Sequence, residues 1–393
     1  MTVNLSVNQI FTRDRLTWLA YLALGFFSYL ETLPGPIMPF LQTELQISYG
    51  VASLHFGAFS LGSIIIGLAG NQLTDRLGRQ RSFWGGAVGM ALGVGLLAWC
   101  PWVAGTITGA GVMGLAGTLL LVATQALLSD HHGEQRTIAF AESNTVAGLG
   151  AILATIVVGS LAGTLLGWRA AAGLAIVVIL ALLLYFRHDQ IRDGLRAEQA
   201  STNVLSARLP SRFWVYWLVL LLGSGVEWCI VFWGATFFEH GVGFEKATAA
   251  STMSIFFGAI VIGRFVGSRL ARQLPSHTIL LLAQGITLIG FPLFWLAPYG
   301  PLNVCGLFIA GVGIGNFYPM ALATAVGTAP HLPEQASARL TLAMGLAGLI
   351  APVLLGWLAD RMSIQQAYGI VLPLLLVAGG LNLATQRALF SKA

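Results

Sequence analysis

Two carboxylates, Glu31 and Glu227, stand inside long apolar runs, and a charged side chain at the centre of a membrane helix costs about 2.5–3.5 kcal/mol. Such a group persists where it works or is paired. Counting from Arg15 and Arg212 at ~1.5 Å per residue puts them ~24 and ~22 Å into their runs. A carboxyl held away from water can take up and release a proton near neutral pH. Both are therefore candidates for proton coupling or for binding the cationic part of a solute; the competing reading is a structural glutamate bonded to a neighbouring helix. Glu142 is a third candidate, although it falls near the start of its run, where a helix dipole favours any carboxylate. His55, Gln125, Asn144, Trp228, Asn316 and Tyr318 are candidates for lining a solute path, each open to the plainer reading of a side chain satisfied by its neighbours. Trp228 and Trp233 flank Glu227 and are expected to form an apolar wall.

The elements that must position these residues follow from composition. The 393-residue chain is 56% hydrophobic and 9% charged, against roughly 25% charged residues in soluble domains, so a water-soluble protein is excluded. Twelve apolar runs, from Leu16–Pro39 to Ile364–Gln386, have the ~20-residue length needed to cross ~30 Å of hydrocarbon. An all-α membrane protein of twelve transmembrane helices is expected, its 48 glycines marking close helix packing. No cleavable signal peptide is apparent, and the loop between the first two spans is expected at Leu41–Tyr49. Cys100, Cys229 and Cys305 are scattered through apolar runs and show no disulfide or metal-ligand spacing.

The net charge of +5 would suggest nucleic acid in a soluble protein, but here the basic residues fall between spans. Of the 20 Lys and Arg, all but four fall on the side shared by the two termini. Arg169, Lys246 and Arg361 fall on the other side, and Arg264 lies within a span. By the positive-inside rule both termini are cytoplasmic. Residues 187–211 form the one long polar connection, read as a cytoplasmic linker between six-helix halves at 1–186 and 212–393. Sliding the chain by 197 residues superimposes Gly70 on Gly267, Gly93 on Gly290, Gly109 on Gly306, Gly114 on Gly311 and Gly148 on Gly345, a parallel repeat of the kind transporters contain. In that register Glu227 falls opposite Leu30, so the two carboxylates take near-equivalent places in the first helix of each half.

The run GNQLTDRLGRQR, Gly70–Arg81, carries Gly70, Asp75, Arg76, Gly78 and Arg79 at the spacing G-x4-DR-x-GR. It resembles the loop between the second and third helices of the major facilitator superfamily. EQR at Glu134–Arg136, GWR at Gly167–Arg169, the span count and the central linker agree with that resemblance along the whole chain. It implies two six-helix bundles around a central site, alternating access by rocking, and a switch in which Asp75 faces Ser337, at the start of the eleventh helix, and Arg136. Arg264 and Arg339 are assigned to the same switch group. Glu142 and Arg339, matched by the repeat, are expected to pair across the cytoplasmic mouth. Asp360-Arg361, at the outer end of span eleven, reads as an interfacial anchor or gate contact.

Drug/proton antiporters of the superfamily carry an Arg in helix four and a Gly-Pro pair in helix five. Ala110 and Ala154-Thr155 stand at the corresponding positions, which weighs against drug efflux. Glu31, Glu227 and the stripe Asn144, Gly148, Ala151, Thr155 look more like fucose-permease-type proton symporters. The stripe has the spacing of one helix face and is equally a surface for close helix contact. No phosphate-binding loop, metal cluster or nucleophile constellation is present in the sequence, so an enzyme and a cofactor are not expected. The expectation is a proton-coupled secondary transporter of a small organic solute, acting as a monomer in a bacterial-type inner membrane without a nucleic-acid partner. The alternatives are an efflux antiporter or a non-transporting membrane receptor.

Overall fold

In hydrocarbon every backbone N–H and C=O must find its partner within the chain, and a helix achieves this within each segment. The computed structural model describes residues 11–191 and 209–390, and among them there is no strand. The first half comprises α1 (Arg15–Thr32), α2 (Pro34–Leu45), α3 (Tyr49–Leu77), α4 (Arg79–Trp99), α5 (Val103–His132), α6 (Arg136–Ala162) and α7 (Arg169–Phe186). The second comprises α8 (Ser211–Phe237), α9 (Lys246–Leu270), α10 (Ser276–Leu296), α11 (Gly300–Ile314), α12 (Phe317–Gly327), α13 (Pro333–Ala359), α14 (Ile364–Ala367) and α15 (Val371–Phe390). The expected linker lies, for residues 192–208, outside the described residues.

These helices make twelve crossings. The continuous helical run Val103–Ala162 is 60 residues long, about 90 Å at 1.5 Å per residue, so it crosses twice, turning at Gly133–Gln135. Three crossings are built from two helices each; the twelfth passes through a single 3-10 turn, Tyr368–Ile370, between α14 and α15. The first bends between α1 and α2, where Pro34 and Pro36 have no N–H to offer the carbonyls of Leu30 and Thr32. The tenth breaks between α11 and α12, where Pro319 leaves the Gly315 carbonyl without its helix donor. The start of α1, the end of α7, the start of α8 and the end of α15 lie at one end of the bundle, called here the linker end.

Two expectations about connections are corrected. The Leu41–Tyr49 loop is mostly helix, because α2 continues to Leu45 and Ser48 already caps α3 by accepting from the Val51 N–H. Gly70–Arg81 is likewise not an open turn: α3 runs to Leu77, α4 starts at Arg79, and Gly78 alone makes the corner with φ +84°, a conformation that favours glycine.

The repeat is visible in the packing. A Cβ on Gly93 would collide with the Gly109 carbonyl, and one on Gly290 with Ala310 and the Gly306 carbonyl. Gly114 rides on the backbone of Phe59, and its mate Gly311 on that of Phe256, again 197 residues on. The contacts between halves repeat too: Gly148 of α6 meets Val261 of α9, while Gly345 of α13 meets Ile64 of α3. The chain folds as two pseudo-symmetric six-helix bundles that meet through α3 with α13 and α6 with α9.

Candidate functional site

At the end opposite the linker the halves are joined by polar contacts. Asp360, just past α13, accepts from the Ser48 hydroxyl at 2.8 Å and the Gly50 N–H at 2.9 Å, adding a carboxylate to the N-terminus of α3. A helix N-terminus stabilises such an anion. Lys246 donates to Thr43, and Gly35 of α2 lies against the Val231 carbonyl of α8. Beneath them a ladder of rings crosses from α3 to α8: Phe56 stacks on Phe232 with centroids 4.4 Å apart, and Phe232 on Trp228 at 4.9 Å.

Below this seal lies a cavity of about 170 Å³ between the halves, lined by α1, α3, α5, α8 and α13. Its wall includes Glu31 in the last turn of α1 and Trp228 of α8, with Phe27, Phe59, Ser60 and Thr341. The lining residues nearer the linker end, Gly67 and Ala338 among them, are exposed. Glu31 has neither a hydrogen bond nor an ion pair among the described residues, and the Trp228 indole N–H is buried without an acceptor.

Glu227, beside Trp228, is also half-buried and unbonded, and its charge acts on Glu31. Arg264 in turn acts on Glu227 and on Tyr318. Arg264 is exposed and points its Nε at the Gly315 carbonyl, 3.4 Å away, the group freed by Pro319. Glu31 and Glu227, from the two halves, are thus near enough for the charge of one to act on the other, and Arg264 acts on Glu227 and the half-buried Tyr318. Gln125 is exposed on the α5 face that carries the cavity residues Thr118 and Leu121.

Several candidates are placed elsewhere. Glu142 is held by Arg13 (Nε to Oε2, 2.7 Å) and by the Tyr21 hydroxyl at 3.1 Å, which ties α6 to the start of α1 and removes it from the cavity. It does not pair with Arg339, which lies over the Trp214 ring, 5.2 Å from its centroid. His55 is fully buried between α3 and α5, its ring nitrogens on Thr106 Oγ1 (2.8 Å) and the Ala52 carbonyl (3.1 Å). Asn316 is buried and donates to the Gly263 carbonyl at 2.7 Å, fastening the break in the tenth crossing to α9. Neither lines a path. Trp233 is no cavity wall either: it is buried, T-shaped to Phe56 and Tyr49, and donates to the Pro352 carbonyl at 2.8 Å.

Asn144 is exposed and donates to the Phe140 carbonyl one turn back, while Gly148, Ala151 and Thr155 pack away. The last three members of the stripe are thus packed and Asn144 is not, while the repeat mates Thr341, Gly345 and Gly348 line the cavity.

The Gly70–Arg81 group is divided. Gly70 is packed beside Val122 of α5. Arg79 pairs with Asp130 at 2.7 Å, joining α4 to the end of α5. Asp75, Arg76 and Arg136 are exposed and make no ion pair among the described residues. The expected approach of Asp75 to Ser337 and Arg136 is not made in this conformation. Composition offered no signal for the ring ladder, because its members are apolar residues among many.

The sequence profile of the Major Facilitator Superfamily matches residues 17–340. An uncharacterised transporter of Bacillus subtilis, YycB, is 24% identical over 340 residues, covering 84% of this chain and 83% of that one. An uncharacterised MFS-type transporter of Yersinia pestis is 26% identical over 182 residues, 45% of this chain and 46% of its own. Among solved structures, a bacterial homologue of the human lysosomal transporter Spinster, inward-facing and occupied, has TM-score 0.77 at 14% identity, covering 96% of this chain and 98% of its own. A mutant of the nucleoside transporter NupG has TM-score 0.78 at 14% identity, covering 94% and 99%. The peptide transporter POT has 0.73 at 17%, covering 95% and 94%. With the profile spanning most of a chain that already displays two repeat-related six-helix bundles, the protein belongs to the Major Facilitator Superfamily and is a membrane transporter.

Proposed function

We propose that this transporter moves a small organic solute by proton-coupled alternating access, with Glu31 and Glu227 as the groups that exchange protons. The observation that carries the reading is Glu31: a carboxylate in an apolar helix, on the wall of the cavity between the halves, with no donor to hold it ionised. A group so placed is costly unless its charge changes during the cycle. Glu227 supports it from a near-equivalent place in the first helix of the second half, one residue out of register with Glu31.

The excess of Lys and Arg at the linker end supports a cytoplasmic location for that end and for both termini, in a bacterial inner membrane. The conformation is then closed outward and open inward. Residues 1–186 and 212–393 are the two bodies that rock, and a single chain suffices for the cycle.

The test is transport by purified protein in liposomes. Glu31→Gln, neutral and nearly isosteric, is expected to abolish accumulation driven by a pH gradient while sparing solute counterflow, and Glu227→Gln to weaken accumulation in the same sense. Driven accumulation at the wild-type level in both variants would overturn the reading.

A further inference from the structure

The cavity beside Glu31 is chemically one-sided. Glu31 is the one charged side chain on its described wall, and nothing on the wall is cationic. Phe27, Phe59 and Trp228 are the aromatic residues of its wall, and Ile64, Leu121 and Met344 are among the aliphatic ones. Two of the wall's hydroxyls are already engaged with backbone carbonyls: Ser63 donates to Gly114 and Thr341 to Ser337. Arg264 acts on Glu227 and Tyr318 rather than on Glu31.

These groups discriminate between solute classes. An anion would meet a carboxylate and no counter-charge. A polyhydroxylated solute needs many donors and acceptors to replace its water, and leaving them unmatched is costly. A cation with an apolar body meets both requirements, since a carboxylate neutralises it and ring faces attract it. The buried indole N–H of Trp228 adds one donor for an acceptor atom on that body.

We propose that this cavity binds a small organic cation, an ammonium group on an apolar or aromatic body, with the ammonium at Glu31 and the body among Phe27, Phe59 and Trp228. The assignment rests on the proton-exchanging role given to Glu31 above and narrows it. A protonated Glu31 has no charge for the cation. Binding therefore releases one proton from the carboxyl to water as one cation takes its place, and the net charge of the site is unchanged. The other charge acting on Glu31 is Glu227 of α8, which lowers the cost of keeping a cation nearby. Coupling of this kind is an exchange of proton for cation, in contrast to the symport suggested by the fucose-permease likeness.

The experiment is calorimetric titration of the purified full-length protein with benzylamine, phenethylamine and tetraethylammonium. Two near-isosteres of phenethylamine, neutral phenethyl alcohol and anionic hydrocinnamate, serve as controls. The series is run across pH and in buffers of different ionisation enthalpy, which reads proton release directly. At least one amine is expected to bind about tenfold or more tighter than the alcohol. Its affinity should strengthen by up to about tenfold per pH unit while Glu31 is protonated, with about one proton released.

Glu31→Gln should lose both the preference and the proton release, and Glu31→Asp should keep the preference, separating the charge from a folding defect. The assignment is overturned if no amine binds, if the alcohol or hydrocinnamate binds as tightly, or if Glu31→Gln retains amine binding with proton release. If no amine binds but Glu31→Gln still abolishes accumulation driven by a pH gradient, the cation assignment fails and the proton-exchanging role stands. If amines bind through Glu31 with proton release while both glutamine variants keep driven accumulation, the failure lies in the coupling reading alone.

Discussion

Glu31 and His55 are both ionisable residues set in apolar helices, and the structure separates them by their partners. His55 has Thr106 on one nitrogen and the Ala52 carbonyl on the other, whereas Glu31 has an open cavity. Replacing a buried, hydrogen-bonded ring costs about 1–3 kcal/mol, so His55→Phe is expected to lower the melting temperature of the purified protein without changing solute affinity; a changed affinity at unchanged stability would return His55 to the solute path. In sequence His55 and Asn316 are candidates for lining a solute path, each open to the plainer reading of a side chain satisfied by its neighbours. The partners that decide the matter, Thr106 for His55 and Gly263 for Asn316, stand 51 and 53 residues away, beyond the reach of any local pattern. Glu31 and Glu227 were legible because burying a carboxylate is costly wherever it falls, and Glu142 was misleading because its partner, Arg13, read as a simple orientation charge.

At the scale of helices, the α3–α13 pair carries an aspartate at each end. Asp360 leaves the end of α13 and caps the start of α3 opposite the linker, while Asp75 leaves the end of α3 near the linker and is exposed. A capping interaction is worth about 0.5–2 kcal/mol, enough to bias two conformations without locking one. Asp360→Ala is therefore expected to shift the population about two- to thirtyfold toward a state open at the Asp360 end. Distances between spin labels on the outer ends of α2 and α9 measure this, and an unchanged distribution would reduce Asp360 to a surface contact.

The twelve crossings were legible in hydropathy, and the repeat in its glycines, because Gly93 with Gly109 and Gly290 with Gly306 are where backbones nearly touch. The extension of α2 to Leu45 was not legible, because the prolines that suggest a stop also fit the first turn of a new helix. The interruption at Gly315-Asn316 was missed for a related reason: the cause, Pro319, lies four residues downstream and acts through a missing donor rather than through a polar signal.

For the whole molecule, the two bundles are sealed by Asp360, Lys246 and the ring ladder at one end and parted around the cavity toward the other. That asymmetry makes a cycle possible, because one set of contacts is made while its counterpart at the other end is open. Coupling requires that the switch between states depend on whether Glu31 holds a proton. The most direct measurement is the proton itself. In liposomes holding a trapped pH dye, a transported solute is expected to evoke a proton movement through the wild-type protein, and Glu31→Gln is expected to exchange the same solute with no pH change. A Glu31→Gln protein that still moves protons with solute, or a wild-type protein that moves solute without them, would contradict the account.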